Sequence, residues 1–261
     1  MLLVIKGAGE IASGIALRLK LAKFDVVMTD IERPTAIRRT VCFSQAIVNG
    51  TAQVEDVKAE KANNAEEIKK ILSMGNIAVI ADEKAKIIKA LKPEAIVDAI
   101  LAKENLGTKI DDAPIVIGVG PGFAAGVDCH AVIETKRGHY LGRVIKNGSA
   151  AANTGVPGNI GGYTTERIIR AVKNGAFDPV CEIGDTVKEG QTVAYIDGEA
   201  VKCSIGGVLR GILPKGTPVY KGMKSGDVDP RCVKEHCYTV SDKALAVGGG
   251  VLEAILSFRE G

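Results

Sequence analysis

Apolar positions along the 261-residue chain follow two periods, and in its first hundred residues the two alternate. Residues 2–6 (LLVIK) form a short apolar run that stops at Gly7. Residues 10–22 (EIASGIALRLKLA) place Ile11, Ile15, Leu19 and Ala22 on one helical face. DVVMTD (25–30) is rich in β-branched residues and ends on an acid. Strand, glycine turn, helix and strand make one βαβ unit. The same texture continues. AEEIKKILSMG (65–75) predicts a helix stopped by glycine, with Ile68, Ile71 and Leu72 together. NIAVIAD (76–82) and AIVDAI (95–100) predict buried strands, and EKAKIIKALK (83–92) predicts a helix ended by Pro93. Helices between apolar strands imply a parallel sheet covered on both faces.

Beyond NLGTKIDDAP the pattern changes. IVIGVG (115–120) predicts a strand entering a second glycine turn, and CHAVIET (129–135) and YLGRVI (140–145) predict strands around a KRGH hairpin turn. NTGVPGNIGGY (153–163) is too rich in glycine for regular structure, and TERIIRAVKNG (165–175) predicts a glycine-capped helix. From about 178, short β segments punctuated by glycine predict a small barrel or sandwich. In the tail, a glycine turn and a closing helix are expected, with Val251, Leu252, Ile255 and Leu256 on one side. The expected class is α/β: a Rossmann-like parallel sheet over 1–106, a glycine-rich mixed α/β region over 107–176, a barrel-sandwich-hybrid-like module over 177–224 and a C-terminal segment over 225–261.

Gly7, Gly9, Ala12 and Gly14 fit G-x-G-x-x-A with one extra glycine in the helix. Gly7 permits the tight turn, Gly9 lets a pyrophosphate approach the backbone, and Ala12 lets helix and strand pack closely. The helix N-terminus then offers unpaired N–H groups to an anion. Asp30 stands where a ribose hydroxyl is bound in such units. Arg33, Arg38 and Arg39 suit a 2′-phosphate or another anion, or else form a solvated face. A nucleotide-free fold that keeps its glycines for packing is the alternative.

Gly118, Gly120 and Gly122, and the stretch with Asn153, Gly155 and Gly158, form two further glycine-rich loops able to expose N–H groups to a phosphate or pterin substituent. Asp128, His130, Glu134 and His139 follow the first of them. Strand alternation puts Asp128, His130 and Glu134 on one side, making His130 the candidate to orient a ligand or shuttle a proton. Turn capping and surface pairing are the plainer reading of these side chains.

Composition narrows the partners. The net charge of +3 is spread through mixed signs and Trp is absent, so neither nucleic acid nor membrane binding is expected. MLLVIK offers five residues before the first lysine, too few for a signal-peptide core. Six dispersed cysteines without CxxC suit reduced thiols of a cytoplasmic protein. Cys232-x-x-x-His236-Cys237 has no second pair at suitable spacing, so no metal site is predicted.

GDTVKEGQTVAYIDG, VKCSIGGVL and GTPVYKG together resemble a biotinyl/lipoyl-type module. Its hairpin tip is Asp197-Gly198, and Lys202 falls downstream of it, so a non-carrier version is expected. IERPTAIRRTVCFSQA (31–46), APIVIGVGPGFAAGVDCHAVIETKRGHYLGRVI (113–145), NTGVPG, DVDPR and CYTVSDKALAVGGGVLEAIL closely resemble the YqeB family over nearly the whole chain. That resemblance implies an accessory protein in maturation of a selenium-dependent molybdenum hydroxylase, with a Rossmann portion similar to XdhC-type chaperones. It implies a phosphate-bearing cofactor, either the molybdenum cofactor or NAD(P), and as partners a molybdenum hydroxylase or other maturation proteins. Aid to selenium insertion follows from that association. Cys237 then becomes a candidate nucleophile for persulfide or selenide handling, with an ordinary strand-start thiol as the other reading; Lys243 and Arg231 lower its pKa if they are near. Whether the chain catalyses a reaction, forms a homo-oligomer, or is an NAD(P)-dependent oxidoreductase or a ligand-free scaffold stays open at this level.

Overall fold

The computed structural model describes residues 1–259. Glu260 and Gly261, which end the 225–261 segment, lie outside the described residues. Contacts divide the chain into two units, each drawn from separate stretches.

The first unit takes Met1–Pro34, Cys42–Thr154 and the chain from Val240 onward. Its elements begin with β1 (Leu2–Lys6), α1 (Glu10–Leu21), β2 (Asp25–Asp30), α2 (Gln45–Asn49), β3 (Thr51–Val54) and β4 (Val57–Ala62). They continue through α3 (Ala65–Ser73), β5 (Ile77–Ala81), α4 (Ile88–Leu91), β6 (Ala95–Asp98), β7 (Ile115–Val119), β8 (Ala131–Ile133) and β9 (Val144–Ile145). Nine strands form one sheet in the order β3-β4-β5-β2-β1-β6-β7-β8-β9. All neighbours run parallel except the two edge pairs, β3 with β4 and β8 with β9. Residues 107–154 therefore continue the sheet that the first hundred residues begin.

Val4, Val27, Ala78 and Ile96 bury one face of the sheet against Ile68 and Ile71 of α3. Asn64 starts that helix by accepting from Glu66 N and Glu67 N at 3.0 and 2.9 Å. The expected 83–92 helix shrinks to one turn. Ala85 and Lys92 take φ of 48°, so the chain turns left-handed on both sides of Ile88–Leu91.

The second unit takes Thr35–Val41 and Gly155–Thr239. Its strands are β10 (Ile168–Arg170), β11 (Gly175–Pro179), β12 (Thr186–Val187), β13 (Thr192–Ile196), β14 (Glu199–Lys202), β15 (Gly207–Ile212), β16 (Thr217–Val219) and β17 (Lys224–Asp229). They form two four-stranded antiparallel sheets, β10-β17-β15-β12 and β14-β13-β11-β16. Phe177, Val193, Ile196, Leu209 and Ile212 fill the core between their strands. The helix expected over 165–175 is absent. A short 3-10 turn at Thr165–Arg167 runs straight into β10, because Ile168 and Ile169 are β-branched and both bury while pairing with β17. The β13–β14 hairpin turns at Asp197 and Gly198, with φ of 44° and 83°. Lys202 ends β14 in solvent, away from that tip.

Thr35–Val41 lies along β15. Ile212 N donates to Ile37 O at 2.9 Å, and a side chain at Gly211 would meet the same carbonyl. The closing helix α5 (Asp242–Arg259) belongs to the first unit and packs on β7, β8 and β9. Gly248, Gly249 and Gly250 were expected in a turn but lie within this helix. The reason is close approach: a Cβ at Gly248 would lie 3.0 Å from Gly14 O, and one at Gly250 would strike Gly142 O.

Candidate functional site

The strand order reverses at β1. From there the chain winds through β2 and β5 on one side and returns to β6, β7 and β8 on the other. In open parallel sheets the crevice beyond the carboxyl ends of such strands is where ligands bind. The residues there are Lys6, which ends β1, with Gly7–Gly9, and Asp98, which ends β6, with Ala99–Leu101.

Gly7 takes φ of +96°, and a Cβ on it would sit 2.9 Å from Ala99 O. Its N–H donates to Thr29 O at 2.8 Å, so the turn is closed by the neighbouring strand ends. Gly9 caps α1 with extended backbone, and a Cβ built there would meet nothing within 4 Å. It is the open point of the loop. Ala12 is buried at 1% exposure, and Gly14 faces Ala244 of α5, where a Cβ would come within 2.6 Å. Gly14 is thus a helix-packing glycine. Ser13 Oγ donates to Ala8 O at 3.2 Å and accepts from Phe43 N at 2.8 Å, while Ser44 N donates to the same Ala8 O at 3.0 Å. The Ser44 hydroxyl is itself fully buried and has no partner.

Asp30 accepts from Ala8 N and Ile31 N, each at 2.8 Å. Burial raises its carboxyl above the ordinary range, against the pull of these two N–H groups. Its observed work is to brace the glycine loop, and each oxygen keeps a further lone pair. Arg33 is exposed. Arg38 and Arg39 belong to the second unit, where they donate to His236 O and Ile212 O at 2.9 and 3.0 Å.

A buried chain of polar groups was missed by sequence reasoning. Thr108 Oγ1 accepts from Lys6 Nζ at 2.5 Å and donates to Asp98 Oδ2 at 2.6 Å. Lys6 and Asp98 are 3.5 Å apart, so the strand ends flanking the crevice are tied by a satisfied charge pair. Its only signal was a lysine and an aspartate closing two apolar strands.

In the second glycine loop each glycine packs closely against another part of the chain. A Cβ at Gly118 would meet the Phe123 ring, one at Gly120 would lie 2.9 Å from Thr135 Oγ1, and one at Gly122 would lie 2.7 Å from the Glu104 backbone. These glycines permit close packing of protein atoms on their Cβ side. Asp128 accepts from Ala124 N at 2.8 Å and caps a turn. His130 Nδ1 accepts from Val116 N at 3.0 Å, which leaves Nε2 as the protonated nitrogen, and its ring meets Phe258 edge-on at 5.8 Å. Glu134 is buried and accepts from Lys136 N and Ala151 N at 2.7 and 2.8 Å. Each of the three holds its own piece of backbone. Asn153 is exposed in the first unit; Gly155 is exposed in the second, where Gly158 O accepts from Arg167 at 3.3 Å.

Cys237 is fully buried, with Sγ 3.8 Å from Leu209 O. Burial pushes its thiol up; Arg210 and Arg38 pull it down, Asp229 opposes them, and Lys234 pulls down again. Arg38 and Arg210 thus act on this thiol in place of the lysine and arginine expected from sequence. Among the described residues no three His, Cys, Asp or Glu side chains group to hold a metal, and no helix is long and apolar enough to cross a membrane.

Fold and loop therefore define an α/β protein with a Rossmann-type glycine loop joined in sequence to a small antiparallel β unit. The chain is 52% identical over 255 residues to the uncharacterized protein YqeB of Escherichia coli K12, of which it is a close homologue. The match takes in 98% of this chain but 47% of the relative, so the chain spans about half the length of that protein. No family model matches. Among solved structures, an aspartoacylase family protein of Mesorhizobium loti is 10% identical with a TM-score of 0.30, covering 87% of this chain and 84% of its own. A succinylglutamate desuccinylase/aspartoacylase of Rhodobacter sphaeroides is 19% identical with a TM-score of 0.23, over 33% and 30% of the two chains. The ectoine utilization protein EutE of Ruegeria pomeroyi is 11% identical with a TM-score of 0.25, over 78% and 57%. Likenesses this slight carry no argument.

Proposed function

We propose that this chain is an accessory protein for maturation of a selenium-dependent molybdenum hydroxylase, and that it binds a phosphate-bearing cofactor at the Gly7–Gly9 loop. The association comes from the resemblance to the YqeB family. The observation that carries the binding site is the open backbone of Gly9 at the start of α1, beside the strand where the sheet order reverses. A phosphate fits this loop. The molybdenum cofactor and NAD(P) both present one, and the chain would hold either through backbone N–H groups and the α1 dipole.

The test is calorimetric titration with ADP, NAD(H) and NADP(H), together with absorbance of the protein as purified. Saturable binding abolished by Gly9→Val is expected, and pterin absorbance in the purified protein favours the molybdenum cofactor over a nicotinamide. Absence of binding by every one of these probes, with no pterin retained, removes the cofactor site. Nicotinamide binding with substrate-dependent reduction would instead make the chain an oxidoreductase.

A further inference from the structure

Helices α1 and α5 lie side by side and run in the same direction. Gly14 faces Ala244, and further along both helices Ile15 and Arg18 face Gly248. Parallel alignment brings the two N-termini to one place, and Ser241 Oγ donates to Glu10 Oε1 at 3.0 Å across them. Glu10 is the residue after Gly9. The amino end of α5 therefore stands beside the open point of the glycine loop.

Lys243, the second residue of α5, is half-buried there. The charges that act on it come from three segments: Arg137 and Glu134 of the β8–β9 connection, Glu10 of α1 and Asp242 of α5 itself. Every one of those carboxylates is already occupied. Glu10 accepts from Ser241, Glu134 holds Lys136 N and Ala151 N, and both Asp242 oxygens take the Arg137 guanidinium at 2.6 and 2.9 Å. Lys243 Nζ has neither a hydrogen bond nor an ion pair among the described residues. Burial first, and then the Arg137 charge, lower its pKa, against Glu10, Glu134 and Asp242, which raise it.

We infer that Lys243 is the cation of the glycine-loop site, and that it takes the diphosphate of a nucleotide-type ligand lying on Gly9. This rests on the cofactor-binding reading above and adds a side chain that the loop pattern does not contain. The α1 and α5 dipoles point at the same anion, and Lys243 supplies the countercharge that backbone N–H groups cannot.

The experiment is calorimetric binding of ADP, inorganic pyrophosphate and adenosine to the full chain and to Lys243→Met, Lys243→Arg and the exposed control Lys89→Met. Lys243→Met should weaken ADP and pyrophosphate about tenfold to a hundredfold, the scale of a charge-assisted contact. Adenosine should be unaffected, Lys243→Arg should keep most of the affinity, and Lys89→Met should match the parent. In a second measurement on the unaltered protein, reductive methylation of Lys243 followed by mass spectrometry should slow when ADP is present. Undiminished ADP binding by Lys243→Met, or methylation at the same rate with and without ADP, overturns the assignment while leaving the cofactor reading intact. A parent chain that binds neither ADP nor pyrophosphate overturns both.

Discussion

Glycines of one loop with different surroundings should answer mutation differently, and Gly7 and Gly9 are such a pair. Gly9→Val keeps a backbone that any residue adopts and meets open space, so its melting temperature should stay near that of the parent while ligand binding is lost. Gly7→Ala combines positive φ with a clash against Ala99 O and should cost about 2 kcal/mol or more in denaturant titration. A Gly7→Ala protein as stable as the parent would remove the packing account of that residue. Asp229 gives a prediction in pH. Burial raises its carboxyl, but hydrogen bonds from Arg231 and the charges of Arg231 and Arg210 more than offset this and hold it at about 2. A folded pKa below the usual 3.8 means stability that is whole above about pH 4 and is lost as the pH falls through about 2. Asp229→Asn should therefore destabilise the second unit by about 2 kcal/mol at neutral pH. The gap from the parent in urea should close as the pH falls through that window.

Among the elements, α5 carries the clearest test. Three consecutive glycines in a helix interior are each unfavourable by about 1 kcal/mol relative to alanine. Gly248 and Gly250 are explained by the backbones they touch; Gly249 faces open space. Gly249→Ala should raise stability by about that propensity difference, while Gly248→Ala and Gly250→Ala should lower it despite the same helical gain. Equal effects at all three would refute the packing of α5 on α1 and on Gly142. The triplet also shows where sequence falls short. Glycine signals a turn by default, and only the facing partners, remote in sequence, reveal a close contact. The strands and α1 were legible because an apolar run closed by glycine has one reading, whereas Ile168–Ile169 and the 83–92 stretch depended on tertiary pairing and on left-handed residues that no period announces. The Gly7–Gly9 loop was visible from its spacing. In the second loop the same composition serves close contacts with Phe123, Thr135 and Glu104, and composition carries no information about which partner a glycine faces.

At the scale of the whole molecule, the units interleave along the chain. The second one needs Thr35–Val41, since Ile37 continues the hydrogen bonding of β15 and Arg38 and Arg39 donate to carbonyls of His236 and Ile212. A fragment of residues 155–239 should accordingly remain poorly dispersed in nuclear magnetic resonance spectra, and gain dispersion when residues 35–41 are joined to it. A well-folded 155–239 fragment would show that segment to be ornamental.

Ser241 and Glu10, which meet where the two helices begin, are 231 residues apart in sequence. A contact of such long range costs loop-closure entropy before it is rewarded, so the pairing of α1 with α5 belongs to the late steps in folding of the first unit. A chain cut anywhere before Val240 would keep the glycine loop and lose the helix end that Glu10 meets.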